Sequence, residues 1–146
     1  MSEGADMIYS WDASLETGND IIDTQHKQLI EALNGLILAY QGGKGPDELL
    51  RTLDFLSAYV IRHFTDEEAL QVQYNYPDYQ RHRLYHNEFR RTIEKLSAEI
   101  SEKGPTDELI LVTIKTVADW LIHHIKSDDF KLAAYINFMS GRSPIL

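Results

Sequence analysis

The 146-residue chain is long enough to bury a core without disulfide or metal staples. Its 14 Lys and Arg against 23 Asp and Glu give a formal charge of −9 and a pI near 5.0. That balance argues against the basic face that nucleic-acid binders and electrostatic membrane anchors need, and the absence of cysteine excludes disulfide scaffolds, thiolate metal sites and thiol catalysis.

The opening MSEGADM lacks the basic and then apolar pattern of a signal peptide. No apolar run approaches the ~18 residues of a bilayer span. The expectation is one cytoplasmic domain over residues 1–146, with no nucleic-acid partner and no membrane insertion. Residues 1–18, with Trp11, read as an irregular arm, residues 19–136 as a helical bundle, and residues 137–146 as a frayed tail.

Glycine and proline divide the chain at Gly42, Gly43, Gly45 and Pro46, at Pro77, and at Gly104 and Pro105. Pro46 and Pro105 are each followed by acidic residues, a helix-start pattern in which proline suits the first turn and carboxylates the positive end of the helix dipole. The first segment carries Ile22, His26, Leu29, Leu33, Leu36 and Tyr40 in steps of four and three. The second runs Leu49, Leu53, Leu56, Val60, His63, Glu67, Leu70, Tyr74. The third runs Tyr79, His82, His86, Phe89, Ile93, Leu96, Ile100. A fourth segment follows Pro105. These helical stripes with short connections predict an all-α, up-down-up-down antiparallel four-helix bundle.

Five polar residues fall in register with leucines and phenylalanines: His26, His63, Glu67, His82 and His86. One inward histidine is ordinarily a hydrogen-bonded core residue. Five on three helices would need five separate partners in otherwise apolar stripes, since burying unpaired polar groups is costly. A shared cation satisfies them together. His63 with Glu67, and His82 with His86, are i, i+4 pairs about 40° apart on a helix. The ligand excess over a tetrahedral zinc site points to two metals, with iron, copper or nickel suited to imidazole.

In the fourth segment one stripe runs Ile110, Ile114, Val117, Leu121, His124, Asp128, and a neighbouring one Ala118, Ile122, Ile125, Asp129, Leu132, Ile136. His124 points inward, and His123 lies off both stripes. Periodicity slightly favours Asp128 over Asp129 as the inward carboxylate and leaves both open. Tyr74, Tyr76, Tyr79 and Tyr85 read as aromatic caps on a bundle end, and Asp66 and Glu68 as a solvated face.

The order His, His-x-x-x-Glu, His-x-x-x-His, His-x-x-x-x-Asp resembles the hemerythrins, particularly the single-domain bacteriohemerythrins. Ile22-Asp23-Thr24-Gln25-His26, His63-Phe64-Thr65-Asp66-Glu67-Glu68, Tyr76-Pro77 and Trp120-Leu121 before His124-Ile125 extend the likeness from about Trp11 to Leu132. The resemblance implies two iron ions with an oxo or hydroxo bridge. His82, His86 and His124 would hold one iron and His26 and His63 the other, with Glu67 and Asp129 between them. The family's five-residue step from His124 selects Asp129. The resemblance further implies reversible dioxygen binding, as hydroperoxide on the five-coordinate iron, with no catalytic residue. Leu29, Phe64, Trp120, Leu121 and Ile125 would wall the oxygen pocket, a role also open to ordinary core residues. Carriage, storage or delivery of oxygen leads. A di-iron redox enzyme reducing peroxide or nitric oxide is the alternative, and a sensor with a separate protein partner is a third. Ferritin-type oxidases fit less well, because they take more carboxylates and fewer histidines.

Overall fold

The computed structural model describes residues 8–44 and 46–141. Helix α1 spans Asp20–Gln41, α2 Pro46–Gln73, α3 Tyr79–Lys103 and α4 Asp107–His124. A π-helical turn, Ile125–Asp129, joins α4 directly to α5, Phe130–Met139. Helix α1 packs on α2 and α4, and α3 packs on the same two helices, which closes a four-helix bundle. No helix among the described residues is long and apolar enough to cross a membrane.

Local chemistry explains the boundaries. Asn19 caps α1 by accepting from the Ile22 N–H at 3.0 Å, and Thr106 caps α4 by accepting from the Leu109 N–H at 3.2 Å. Each cap satisfies an orphan first-turn donor. Pro46 opens α2, as its position predicts. Pro105 instead lies two residues ahead of the first helical residue, because Thr106 takes the cap. The turn after α2 is closed by Asn75 at φ 53°, a left-handed conformation that asparagine tolerates better than most residues.

The arm is ordered over its described part. Ala13–Leu15 form a single 3-10 turn, and Tyr9 exchanges two hydrogen bonds with the Asn34 side chain, at 2.9 and 2.7 Å. Asp23 accepts from the Thr17 backbone and hydroxyl, tying the arm to the first turn of α1. At the other end, helix α5 continues through Met139. Residues 137–139 are therefore helical rather than frayed, and residues 142–146 lie outside the described residues.

The core comes in two pieces. The larger runs from Leu29 through Ala39 on α1, Leu49 to Phe64 on α2, Phe89 to Ile100 on α3 and Ile110 to Leu121 on α4. The smaller gathers Ile22, Tyr76, Leu132, Ala133 and Ile136. On every helix the residues between the two pieces are the polar ones that break the apolar stripes.

The π turn resolves the two competing stripes of the fourth segment. An i→i+5 turn accommodates one extra residue. Val117, Leu121, His124, Asp129, Leu132 and Ile136 therefore continue a single buried face.

Leu33 is fully buried in the larger core, away from the polar layer. Leu33→Ala is expected to cost about 2–5 kcal/mol, as large-to-small changes in close-packed cores do. Urea unfolding followed by helical circular dichroism checks this. A loss below about 1 kcal/mol would show that this part of the bundle is not close-packed.

Candidate metal centre

Between the two pieces of core lie His26 on α1, His63 and Glu67 on α2, His82 and His86 on α3, His124 on α4 and Asp129 in the π turn. All seven are at most 3 % exposed. They converge as two overlapping groups, Glu67, His82, His86, His124 and Asp129 in one, and His26, His63, Glu67 and Asp129 in the other.

In the first group the His124 Nε2 lies 2.9 Å from the His82 Nε2 and 3.1 Å from the His86 Nε2. Glu67 Oε1 is 3.1 Å from both the His82 and the His86 Nε2. Asp129 Oδ1 is 3.0 Å from the His82 and 3.2 Å from the His124 Nε2. Two donors held at right angles, about 2.1 Å from a common ion, lie about 3.0 Å apart. The edges of this group therefore have the length that one ion requires.

The second group uses the other oxygen of each carboxylate. Asp129 Oδ2 is 2.8 Å from the His26 Nε2 and 3.9 Å from the His63 Nε2. Glu67 Oε2 is 3.4 Å from the His63 and 4.0 Å from the His26 Nε2. Each carboxylate thus turns one oxygen toward two rings of the three-histidine group and the other toward His26 and His63.

Protein hydrogen bonds do not satisfy this layer. Both Glu67 oxygens, Asp129 Oδ1 and His63 Nε2 are buried with no hydrogen-bond partner. Leaving such groups unpaired costs about 1–3 kcal/mol each, and more when they are charged. Cations between the rings and the carboxylates would remove that penalty at a stroke, so the residues present fit a metal pair.

Behind the rings stands a second set of contacts that fixes which nitrogen faces inward. His63 Nδ1 lies 2.7 Å from Gln25 Oε1, and the Gln25 amide donates onward to Asp66 at 3.2 Å. His86 Nδ1 lies 2.8 Å from Glu68 Oε2, which also pairs with Arg90 at 3.1 Å. His124 Nδ1 lies 3.3 Å from Asp128 Oδ2. With Nδ1–H donating outward, each Nε2 lone pair is free to bind a metal.

Several sequence expectations are corrected here. Asp128 does not enter the layer, because the π turn rotates it to the back of His124. Glu68 is not a solvated residue. Its side chain is 15 % exposed and held against His86. Asp66 supports Gln25. Periodicity did not single out Gln25, since its role arises only where α1 meets α2. His123 is exposed, as its position off both stripes predicts.

Among the apolar neighbours, the Phe64 ring stacks on His86 at 3.9 Å. Trp120 stacks on His124 at 4.3 Å and on Phe89 at 4.2 Å. Both aromatics therefore lie against rings of the three-histidine group. Leu29, Leu121 and Ile125 are buried, and Trp120 is half-buried. Tyr76 packs its ring edge-on to His82 at 6.3 Å. Burial and the nearby carboxylates push its hydroxyl up to about 12, so it stays protonated.

The charges are strongly interdependent. Burial opposes charging His63, His82 and His124, yet the adjoining Glu67 and Asp129 overcome it. They raise the three imidazoles to about 9, 10 and 9. Burial likewise opposes ionising the two carboxylates, but the facing imidazoles hold both well below the usual carboxylate range.

A four-helix bundle whose interior holds five imidazoles and two shared carboxylates is a helical metal-binding scaffold. Residues 17–136 match the family model described as the hemerythrin HHE cation binding domain, and the chain belongs to that family. Myohemerythrin of Theromyzon tessulatum is 30% identical over 123 residues, covering 84% of this chain and 89% of its own. Bacteriohemerythrin of Campylobacter jejuni is 34% identical over 125 residues, covering 83% and 90%. That of Pseudomonas aeruginosa is 30% identical over 128 residues, covering 87% and 78%.

The pKa directions set the pH behaviour of the metal-free protein. The raised imidazoles contribute stability that is complete below their ordinary value of 6.5 and is lost as pH climbs through 9 to 10. The depressed carboxylates contribute above their ordinary values of 3.8 and 4.5 and lose that contribution as pH falls. Metal-free stability is therefore expected to peak between about pH 5 and 6.5. A metal must displace the imidazole protons. Adding Zn(II) to metal-free protein at pH 7 in dilute indicator dye is expected to release about three protons per chain. Uptake without proton release would show that these imidazoles are already neutral at pH 7 in the metal-free protein.

Proposed function

We propose that the chain binds dioxygen reversibly at a non-haem di-iron centre, and serves in oxygen carriage, storage, delivery or sensing rather than as an enzyme. The observation that carries this is the unequal donor count. One group offers three imidazoles and two carboxylate oxygens, while the other offers two imidazoles and the remaining two oxygens. The protein thus withholds one donor on the His26–His63 side, where an exogenous ligand can enter. Bound iron would supply the redox chemistry, since two ferrous ions can lend dioxygen one electron each and recover them.

The protein's own groups support reversibility. His82, His86 and His124 would saturate their side and keep it inert to ligands. Glu67 and Asp129, held ionised, would span both sides and fix their separation. Buried Leu29, Leu121 and Ile125, with Phe64 over His86, limit water around the layer. Five neutral imidazoles against two carboxylates favour the lower iron oxidation states over the oxidising forms that carboxylate-rich sites sustain. The names of the relatives, myohemerythrin and bacteriohemerythrin, agree with this reading.

The test is optical. Ferrous-loaded protein, prepared without oxygen, is expected to gain a visible charge-transfer band on admitting oxygen and to lose it when oxygen is stripped. A one-way conversion to the diferric state with oxygen consumed would overturn reversible binding and make a di-iron redox enzyme the better account.

A further inference from the structure

Resting on the two-metal reading above, we propose that the centre loads its metals in a fixed order. The three-histidine group fills first and the His26–His63 group second. At limiting iron the chain would then hold a single ion and stay silent toward dioxygen.

Three arguments support stepwise loading, and the first and third of them assign its order. The first is donor number. The three-histidine group offers five donors and the other four, so an ion entering the first gains one more imidazole than an ion entering the second.

The second observation is charge. Both carboxylates are shared, so the first divalent ion neutralises their two negative charges. The second ion then meets a donor set with no uncompensated charge and a neighbouring cation across the same carboxylates. Coulomb repulsion at short range in a buried site weakens its binding.

The third is the backing of the rings. His86 and His124 each lean on a carboxylate, Glu68 at 2.8 Å and Asp128 at 3.3 Å. His63 leans on the neutral amide of Gln25 at 2.7 Å. A carboxylate behind an imidazole raises its basicity more than an amide does, and such partners are typically worth about 10–100-fold in metal affinity. Glu68 and Asp128 are thus positioning residues that favour the first site.

Calorimetric titration of metal-free protein with Zn(II), which is redox-silent, is the direct test. Two steps are expected, one ion each, with the first at least about tenfold tighter. The isosteric pair Glu68→Gln and Asp128→Asn should weaken the first step about 10–100-fold and leave the second nearly unchanged, closing the gap. Circular dichroism on the same variants separates this from unfolding. In parallel, Fe(II) is added stepwise without oxygen, and each sample is then exposed to oxygen. The oxygen-dependent band should be absent up to one equivalent and grow between one and two. Two ions binding in one indistinguishable step, or a band rising linearly from the first addition, overturns the ordered loading. Saturation at one zinc per chain overturns the two-metal reading itself. Two ordered zinc steps with no oxygen-dependent band leave the order standing and overturn dioxygen binding.

Discussion

The structure depends on one electrostatic constraint: seven buried polar side chains that satisfy one another poorly and have too few partners elsewhere. They form a slab across the bundle that separates the larger apolar core from the smaller one. Leucines and aromatics on either side hold the His82 and His86 Nε2 atoms about 3 Å from that of His124. In the metal-free chain that slab is a liability, held together by protons shared between imidazoles and carboxylates. With cations in place the same geometry stabilises the fold, because a site absent from the unfolded chain returns its binding energy to the folded one.

Sharing is the organising feature of the slab. Glu67 and Asp129 come from different parts of the chain, one from the middle of α2 and one from the turn after α4. Each divides its two oxygens between the two histidine groups. The three-against-two split of histidines makes the groups unequal, and the shared carboxylates make them inseparable. What happens at one changes the charge felt at the other, so seven residues act as one unit with a five-donor side and a four-donor side.

Much of this was legible in the sequence, and the reasons are physical. His63 and Glu67, or His82 and His86, stand out because an α-helix returns to the same face every three or four residues, and a polar residue in that register has nowhere else to point. The bundle was legible for the same reason. The choice between Asp128 and Asp129 was not, because periodicity assumes an unbroken α-helix and the helix is broken there. The family resemblance chose the aspartate that the structure places among the rings, although the i+5 step works through a π turn rather than through a sideways reach from a regular helix. Glu68 and Gln25 were hidden for a different reason. Their roles arise from contact with a ring on another helix, and no one-dimensional pattern records which neighbours meet in space. Phe64 and Trp120 were identified as close to the site, but that they stack on the three-histidine rings needed coordinates.

The π turn also divides labour between two identical neighbours. Asp128 and Asp129 are chemically the same and adjacent in the chain, and an unbroken helix would have had to choose one of them for the interior. The single extra residue sends Asp129 in among the rings and leaves Asp128 behind His124, so the pair grips that imidazole from front and back. One inserted residue thereby supplies an inward carboxylate and the buttress of a neighbouring imidazole from a two-letter stretch of sequence. This economy makes the spacing at this point, more than the identity of either aspartate, the information that the centre requires.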